Sequence, residues 1–283
     1  MLQRVADITA HTEDHEALAA ACEVGVGLCT IVGIEGSFSR RIGAQLAVLA
    51  DGSTVGSLAD GCLEAQLASD IRNLTEAEVI RYGAGASTID FRLPCGGGLD
   101  ILLDPAPDRV ACRRVIGELA DRKPARLALP HRSILTERVY LPALRIAAFG
   151  EGPELGFLGD LAQAMGIDVE IYDKSRLSLG QQAADCPLDR WTAALFLFHD
   201  HEWEMPLIAQ VLASEVFFVG AQGGENARIS RALELARQGL PEEQIARVRS
   251  PVGLIPTCKT PAALALSALA EVVAHYERLR DQV

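Results

Sequence analysis

Two cysteines set in glycine-rich turns are the side chains best placed to do chemistry in this 283-residue chain. Cys62 follows Gly56-Ser57-Leu58-Ala59-Asp60-Gly61 and opens a segment with helical spacing. The unpaired N–H groups at a helix N-terminus stabilise a thiolate, which turns an inert thiol into a nucleophile or a soft-metal ligand. Cys95 sits in Pro94-Cys95-Gly96-Gly97-Gly98, a second flexible turn. The competing fate of any single cysteine is burial as a small apolar residue, and flanking glycines in both cases argue against it. The loop Gly36-Ser37-Phe38-Ser39-Arg40-Arg41-Ile42-Gly43 adds hydroxyls, backbone N–H groups and two adjacent guanidiniums. The planar fork of arginine suits phosphate, although two solvated arginines on a turn would have the same sequence.

A further group lies in the second half. Arg145-Ile-Ala-Ala-Phe-Gly150-Glu-Gly152-Pro-Glu-Leu-Gly156 reads as a strand, a glycine-rich turn and a helix start, the setting in which backbone N–H groups receive a pyrophosphate. Asp173, at the end of the next expected strand, is spaced to accept hydrogen bonds from a ribose. Two features oppose a nucleotide: the third glycine falls one place late, and Glu151 and Glu154 put acids where a diphosphate would sit. His199-Asp200-His201 ends another expected strand and reads either as a metal pair or as crevice lining, as does Gly220-Ala-Gln-Gly223-Gly224.

The elements that hold these groups differ between the two halves. The first half reads as mixed α+β: a helix at 13–23, a buried strand at 27–34, and short strands at 45–50 and 54–56 joined by Asp51-Gly52-Ser53, a hairpin signal. A helix at 61–73, strands at 87–93 and 99–103, and a helix at 108–122 capped by Asp108 complete it. The second half alternates apolar strands, at 144–149, 168–172, 193–198 and 216–219, with helical segments. That rhythm implies a parallel sheet covered by helices. Thr260-Pro261 starts a long final helix expected to pack on this sheet. The fold class is therefore α/β, with a mixed α+β domain over 1–140 and a Rossmann-like parallel-sheet domain over 141–283, the junction falling within 123–144.

Composition narrows the function. At 49% apolar and 23% charged residues the chain is globular rather than disordered, and its apolar runs are too short to span a bilayer. A formal net charge of −12 argues against nucleic acid as a partner, since phosphate binding needs clustered lysine and arginine. Acids and histidines near the N-terminus stand where a signal peptide would be apolar, so the expected location is cytoplasmic. Seven scattered cysteines without C-x-x-C pairs read as reduced thiols.

With these segments in view, the chain resembles the XdhC/CoxI family, accessory proteins that mature molybdenum hydroxylases such as xanthine dehydrogenase. The resemblance rests on Gly36-Ser-Phe-Ser-Arg-Arg-Ile-Gly-Ala44, Gly56-Ser-Leu-Ala-Asp-Gly-Cys-Leu-Glu64, Cys95-Gly-Gly-Gly-Leu-Asp-Ile-Leu-Leu-Asp-Pro105 and Phe149-Gly-Glu-Gly-Pro153. It continues through Val219-Gly-Ala-Gln-Gly223 and Pro251-Val-Gly-Leu254 to Lys259-Thr-Pro-Ala262, so it spans nearly the whole length. It departs at Leu58-Ala-Asp-Gly-Cys62, Gly150-Glu-Gly152 and Gly224-Glu225-Asn226.

The resemblance implies binding of the molybdenum cofactor, a molybdopterin that is in some forms a dinucleotide. It implies protection of that cofactor while a cysteine desulfurase exchanges an oxo for a sulfido ligand, and delivery to the apo-hydroxylase. It places Cys62, beside Gly61, against the molybdenum or its dithiolene, with Cys95 assisting and Ser37, Arg40 and Arg41 holding the pterin phosphate. It implies no turnover chemistry of the protein's own. The rival readings are an NAD(P)-dependent oxidoreductase using Gly150, Gly152 and Asp173, and a non-catalytic interaction scaffold. A homodimer is the expected assembly.

Overall fold

The computed structural model describes residues 13–58, 61–86, 96–130 and 133–280, and the chain divides into two compact units, 1–142 and 143–283. The first unit comprises α1 (Glu13–Ala20), β1 (Gly27–Glu35), β2 (Gln45–Val48), β3 (Thr54–Gly56), α2 (Cys62–Ile71), β4 (Glu78–Gly83), β5 (Gly98–Asp104), α3 (Arg109–Ala120), β6 (Ala125–Ala128) and β7 (Glu137–Tyr140). Five strands form an antiparallel sheet in the order β3-β2-β1-β5-β4.

Successive side chains of a strand point to opposite faces, and β1 feeds a different core on each. Cys29 and Ile31 join Leu46, Ile101 and Leu103 with Leu63 and Leu67 of α2. Leu28 instead joins Leu18 of α1 and Cys112, Val115 and Leu119 of α3. Both faces are therefore covered, and this is why 27–34 reads as an unbroken apolar run. Asp108 caps α3, its carboxylate accepting from the N–H groups of Val110 and Ala111 at 3.0 Å each.

The strand expected at 87–93 lies outside the described residues, and β4 supplies the edge strand at Glu78–Gly83. The stretch 123–144, read as the junction, contains the division between the two units at 142/143. It contains the β6–β7 hairpin, which Arg138 fastens to the rest of the first unit by donating to Gly43 O at 2.6 Å and pairing with Asp14 at 2.8 Å.

The second unit comprises β8 (Arg145–Gly150), α4 (Pro153–Ala164), β9 (Asp168–Tyr172), β10 (Thr192–Leu197), α5 (Glu204–Leu212), β11 (Phe218–Ala221), α6 (Glu225–Arg237), α7 (Glu242–Ile245), β12 (Val248–Arg249) and α8 (Pro261–Arg280). Its five strands are all parallel, in the order β12-β11-β10-β8-β9. The order reverses between β8 and β10, so their C-terminal ends flank the topological switch point, where open α/β sheets accept ligands. The final helix lies mainly along α4 and also meets β11, with Ala265, Ala268 and Val272 fully buried. Among the described residues, no helix is long and apolar enough to cross a membrane.

A buried ion pair ties the far side of this sheet together. Arg231 of α6 donates to Glu204 of α5 at 2.9 Å, to Ser250 Oγ at 2.9 Å and to the Gln222 carbonyl at 3.0 Å. Both charged side chains are almost wholly excluded from water. Removing one partner strands the other charge, whereas replacing both with apolar residues removes the problem. Glu204→Leu alone is therefore expected to lower unfolding free energy by about 3–5 kcal/mol, and adding Arg231→Met to recover most of that loss. Urea denaturation followed by circular dichroism checks both variants; an equal loss in single and double variants would contradict this account.

Candidate functional site

In the first unit the cysteine turn is built around a carboxylate. Glu64, in the first turn of α2 and buried, accepts from Leu58 N at 3.0 Å and from Gly61 N at 2.7 Å. This brings the Leu58 backbone against the helix start. Gly61 is the N-cap at φ +92°, a left-handed conformation in which a side chain would be strained. Cys62 is the first helical residue, and it is exposed. From the preceding loop Arg40 reaches the same turn, its Nε donating to Ser57 O at 3.2 Å and its guanidinium to Ser57 Oγ at 3.1 Å. The structure thus joins Arg40 to Ser57, and Leu58 and Gly61 to Glu64 in the helix that Cys62 opens. Ser37 lies exposed and Arg41 half-buried on the Arg40 loop. Cys95 lies outside the described residues.

The other thiols are differently placed. Cys22, Cys29 and Cys112 are buried in the two cores. Burial pushes all three thiols up from their ordinary range, Cys112 to about 12, so they stay protonated and inert at neutral pH. Cys186 and Cys258 are partly exposed. Burial raises Cys186 as well.

In the second unit, β8 ends at Gly150, where a Cβ would press to 2.7 Å from Leu197 O of the neighbouring strand. Gly152, at φ +88°, caps α4 as the expected turn requires. The acids around it are real features of the turn. Glu151 pairs with Lys174 at 2.7 Å, and that hydrogen bond holds its carboxyl below the usual range. Glu154 is buried, with Oε1 3.6 Å from His199 Nε2.

Asp173 follows β9 and is occupied locally. It accepts from the Ser175 hydroxyl at 2.5 Å and backbone N–H at 2.9 Å, which holds its carboxyl below the usual range. His199 and His201 do not converge: the first neighbours Glu154 and Gln222, whereas His201 lies 3.2 Å from Glu204. Among the described residues, no group of three or more His, Cys, Asp or Glu could hold a metal ion.

Sequence reasoning passed over Glu64, although its place three residues after the N-cap is the capping-box spacing. It also gave Gln222 no role of its own. The hydrogen bond from Gln222 Nε2 to His199 Nδ1 at 3.2 Å joins the ends of two neighbouring parallel strands, which periodicity alone does not reveal.

An antiparallel unit with an exposed cysteine at a helix start, followed by a Rossmann-like parallel unit, defines a two-unit α/β protein. Comparison with known proteins gives this class its family. The model described as "XdhC and CoxI family" matches residues 19–83, and that described as "XdhC Rossmann domain" matches residues 146–272. The chain is 30% identical over 286 residues to the Escherichia coli (strain K12) protein named molybdenum cofactor insertion chaperone PaoD, spanning 92% of this chain and 88% of that one. A Bacillus halodurans protein whose crystal structure is described as a xanthine dehydrogenase shares the fold, with a TM-score of 0.72 at 19% identity over 94% of this chain and 96% of that one. The chain belongs to the XdhC/CoxI family.

The exposure pattern makes a direct chemical prediction. Brief treatment of the native protein with iodoacetamide is expected to modify Cys62 well before Cys22, Cys29 or Cys112, as read by peptide mass mapping. Labelling of Cys62 at the pace of those three buried thiols would contradict its placement.

Proposed function

We propose that this protein binds the molybdenum cofactor as cargo, shields it while a cysteine desulfurase supplies the sulfido ligand, and passes it to an apo-hydroxylase. It performs no turnover of its own in this reading. The observation that carries the proposal is the exposed Cys62 thiol at the first position of α2, on a turn clamped by Glu64 and Arg40. A cysteine sulfur is a soft donor suited to molybdenum and its sulfur surroundings. The 30% identity to a protein named as a molybdenum cofactor insertion chaperone supports the same cargo.

The chain's own residues divide the work by chemistry. Cys62 contacts the metal end of the cargo, with Cys95 as a second thiol. Arg40 orders the turn through Ser57 and adds positive charge, and Ser37 and Arg41 on the same loop present a hydroxyl and a guanidinium to the pterin phosphate or its dinucleotide extension. A nicotinamide-dependent oxidoreductase draws less support, because Glu151 and Glu154 flank the turn that would have to receive its diphosphate.

Equilibrium binding of isolated molybdenum cofactor tests the assignment. Cys62→Ser is expected to weaken binding by about tenfold or more through loss of the soft ligand. Arg40→Gln is expected to weaken it by a smaller factor through lost charge and a loosened turn. Full affinity in Cys62→Ser would remove Cys62 from the site.

A further inference from the structure

We infer that Arg81 of β4 is a positioning residue for the cargo site, one guanidinium fixing the root of the Ser37–Arg41 loop against the glycine turn at 96–98. This rests on the molybdenum cofactor being the cargo, and it adds a residue that lies outside both the cysteine turns and the arginine loop.

Three strand ends meet at this residue. β1 and β4 end where β5 begins, since Gly98 is in register with Glu35 on one side and with Gly83 on the other. Arg81 lies across that junction. Its Nη1 donates to Asp100 of β5 at 2.9 Å, its Nε donates to Ala84 O just past β4 at 2.9 Å, and its Nη2 pairs with Glu35, the last residue of β1. Only a planar fork with several N–H donors can serve three such directions at once. Two glycines leave space for it. A Cβ at Gly98 would stand 2.6 Å from Arg81 Cζ, and one at Gly33 would stand 2.5 Å from Asp100 Oδ2. The Arg81–Asp100 pair therefore lies across the sheet over positions that admit no side chain without a shift.

The segments that leave this junction belong to the proposed site. Gly36 and Ser37 follow Glu35 directly, and the same loop carries Arg40, whose guanidinium holds Ser57 ahead of Cys62. On the other side, Gly97 O accepts from Ala84 N at 2.9 Å. A Cβ at Gly36 would stand 3.5 Å from Gly97 Cα, so the loop root and the turn pass close to one another. Cys95 directly precedes this turn in the chain. Arg81 thus holds the loop at its root, as Arg40 holds it further along. The bridge adds little to folding in its own right, because Glu35 is 69% exposed and exposed ion pairs contribute little. Its effect is on geometry: a binding constellation works only when supporting residues keep its members close to the productive arrangement.

The test combines hydrogen exchange and cofactor binding on the full-length protein. In Arg81→Gln, peptides spanning 33–37 and 96–98 are expected to exchange at least about threefold faster, with those of α2 unchanged. Equilibrium affinity for isolated molybdenum cofactor is expected to fall by about three- to tenfold, with the urea midpoint nearly unmoved. Arg81→Lys is expected to restore little of either, because an ammonium on a flexible stem cannot replace the fixed fork. Glu35→Gln removes only the link to the loop root. It is expected to loosen 33–37, to leave 96–98 as in the native protein, and to add nothing to the affinity loss when combined with Arg81→Gln. Unchanged exchange at loop and turn in Arg81→Gln, full recovery in Arg81→Lys, additive losses in the double variant, or a large fall in the urea midpoint would each overturn the inference. Native binding with an indifferent Arg81→Gln overturns this inference alone, whereas failure of the native protein to bind the cofactor overturns the cargo reading with it.

Discussion

The buried carboxylate of Glu64 accepts from Leu58 N and Gly61 N, and so fixes the turn that ends in Cys62. Burying a carboxylate is costly unless its oxygens find donors, so the turn and the carboxylate hold each other in place. Gly61 makes this closure feasible through its left-handed backbone. Arg40 completes it from outside by holding Ser57. Beneath the turn, Leu63 and Leu67 anchor α2 in the core that Cys29 and Ile31 of β1 share. The display of the Cys62 thiol to solvent thus depends on a core in which Cys29 is buried and inert.

The second unit uses a similar backbone device with side chains of opposite charge. A glycine at positive φ again starts a helix, but the nearby side chains are Glu151 and Glu154 rather than an arginine. Helix N-termini favour anions, and here part of that preference is met by the protein's own acids. Behind the crevice, the Glu204–Arg231 pair fixes α5, α6 and the exits of β11 and β12. His199 and Gln222 therefore project from well-supported strand ends.

Much of this organisation was legible in the sequence where local chemistry decides the outcome. Asp51-Gly52 makes the β2–β3 hairpin, Asp108 caps α3, and Thr260 accepts from Ala263 N at 3.2 Å at the start of α8. The parallel sheet followed from strands that read as apolar because both faces are covered. Less was legible where partners are distant in the chain. Glu78–Gly83 is an edge strand with partly exposed residues, so its apolar signal is weak. The β6–β7 hairpin owes its place to Arg138, whose partners Gly43 and Asp14 lie far back in the sequence. At the cysteine turn the glycines and Cys62 stood out, whereas Glu64 matters through a fold-back that composition does not reveal.

The account rests on Cys62 as the point of contact with a molybdenum-bearing cargo. The most direct measurement is molybdenum by elemental analysis, with pterin by fluorescence after oxidation, on protein purified from molybdate-fed cells. Near-stoichiometric metal and pterin in the native protein, and their loss when Cys62 is replaced by serine, is the result the account predicts. Absence of both from freshly purified and from cofactor-reconstituted native protein, or their full retention without the thiol, would contradict it.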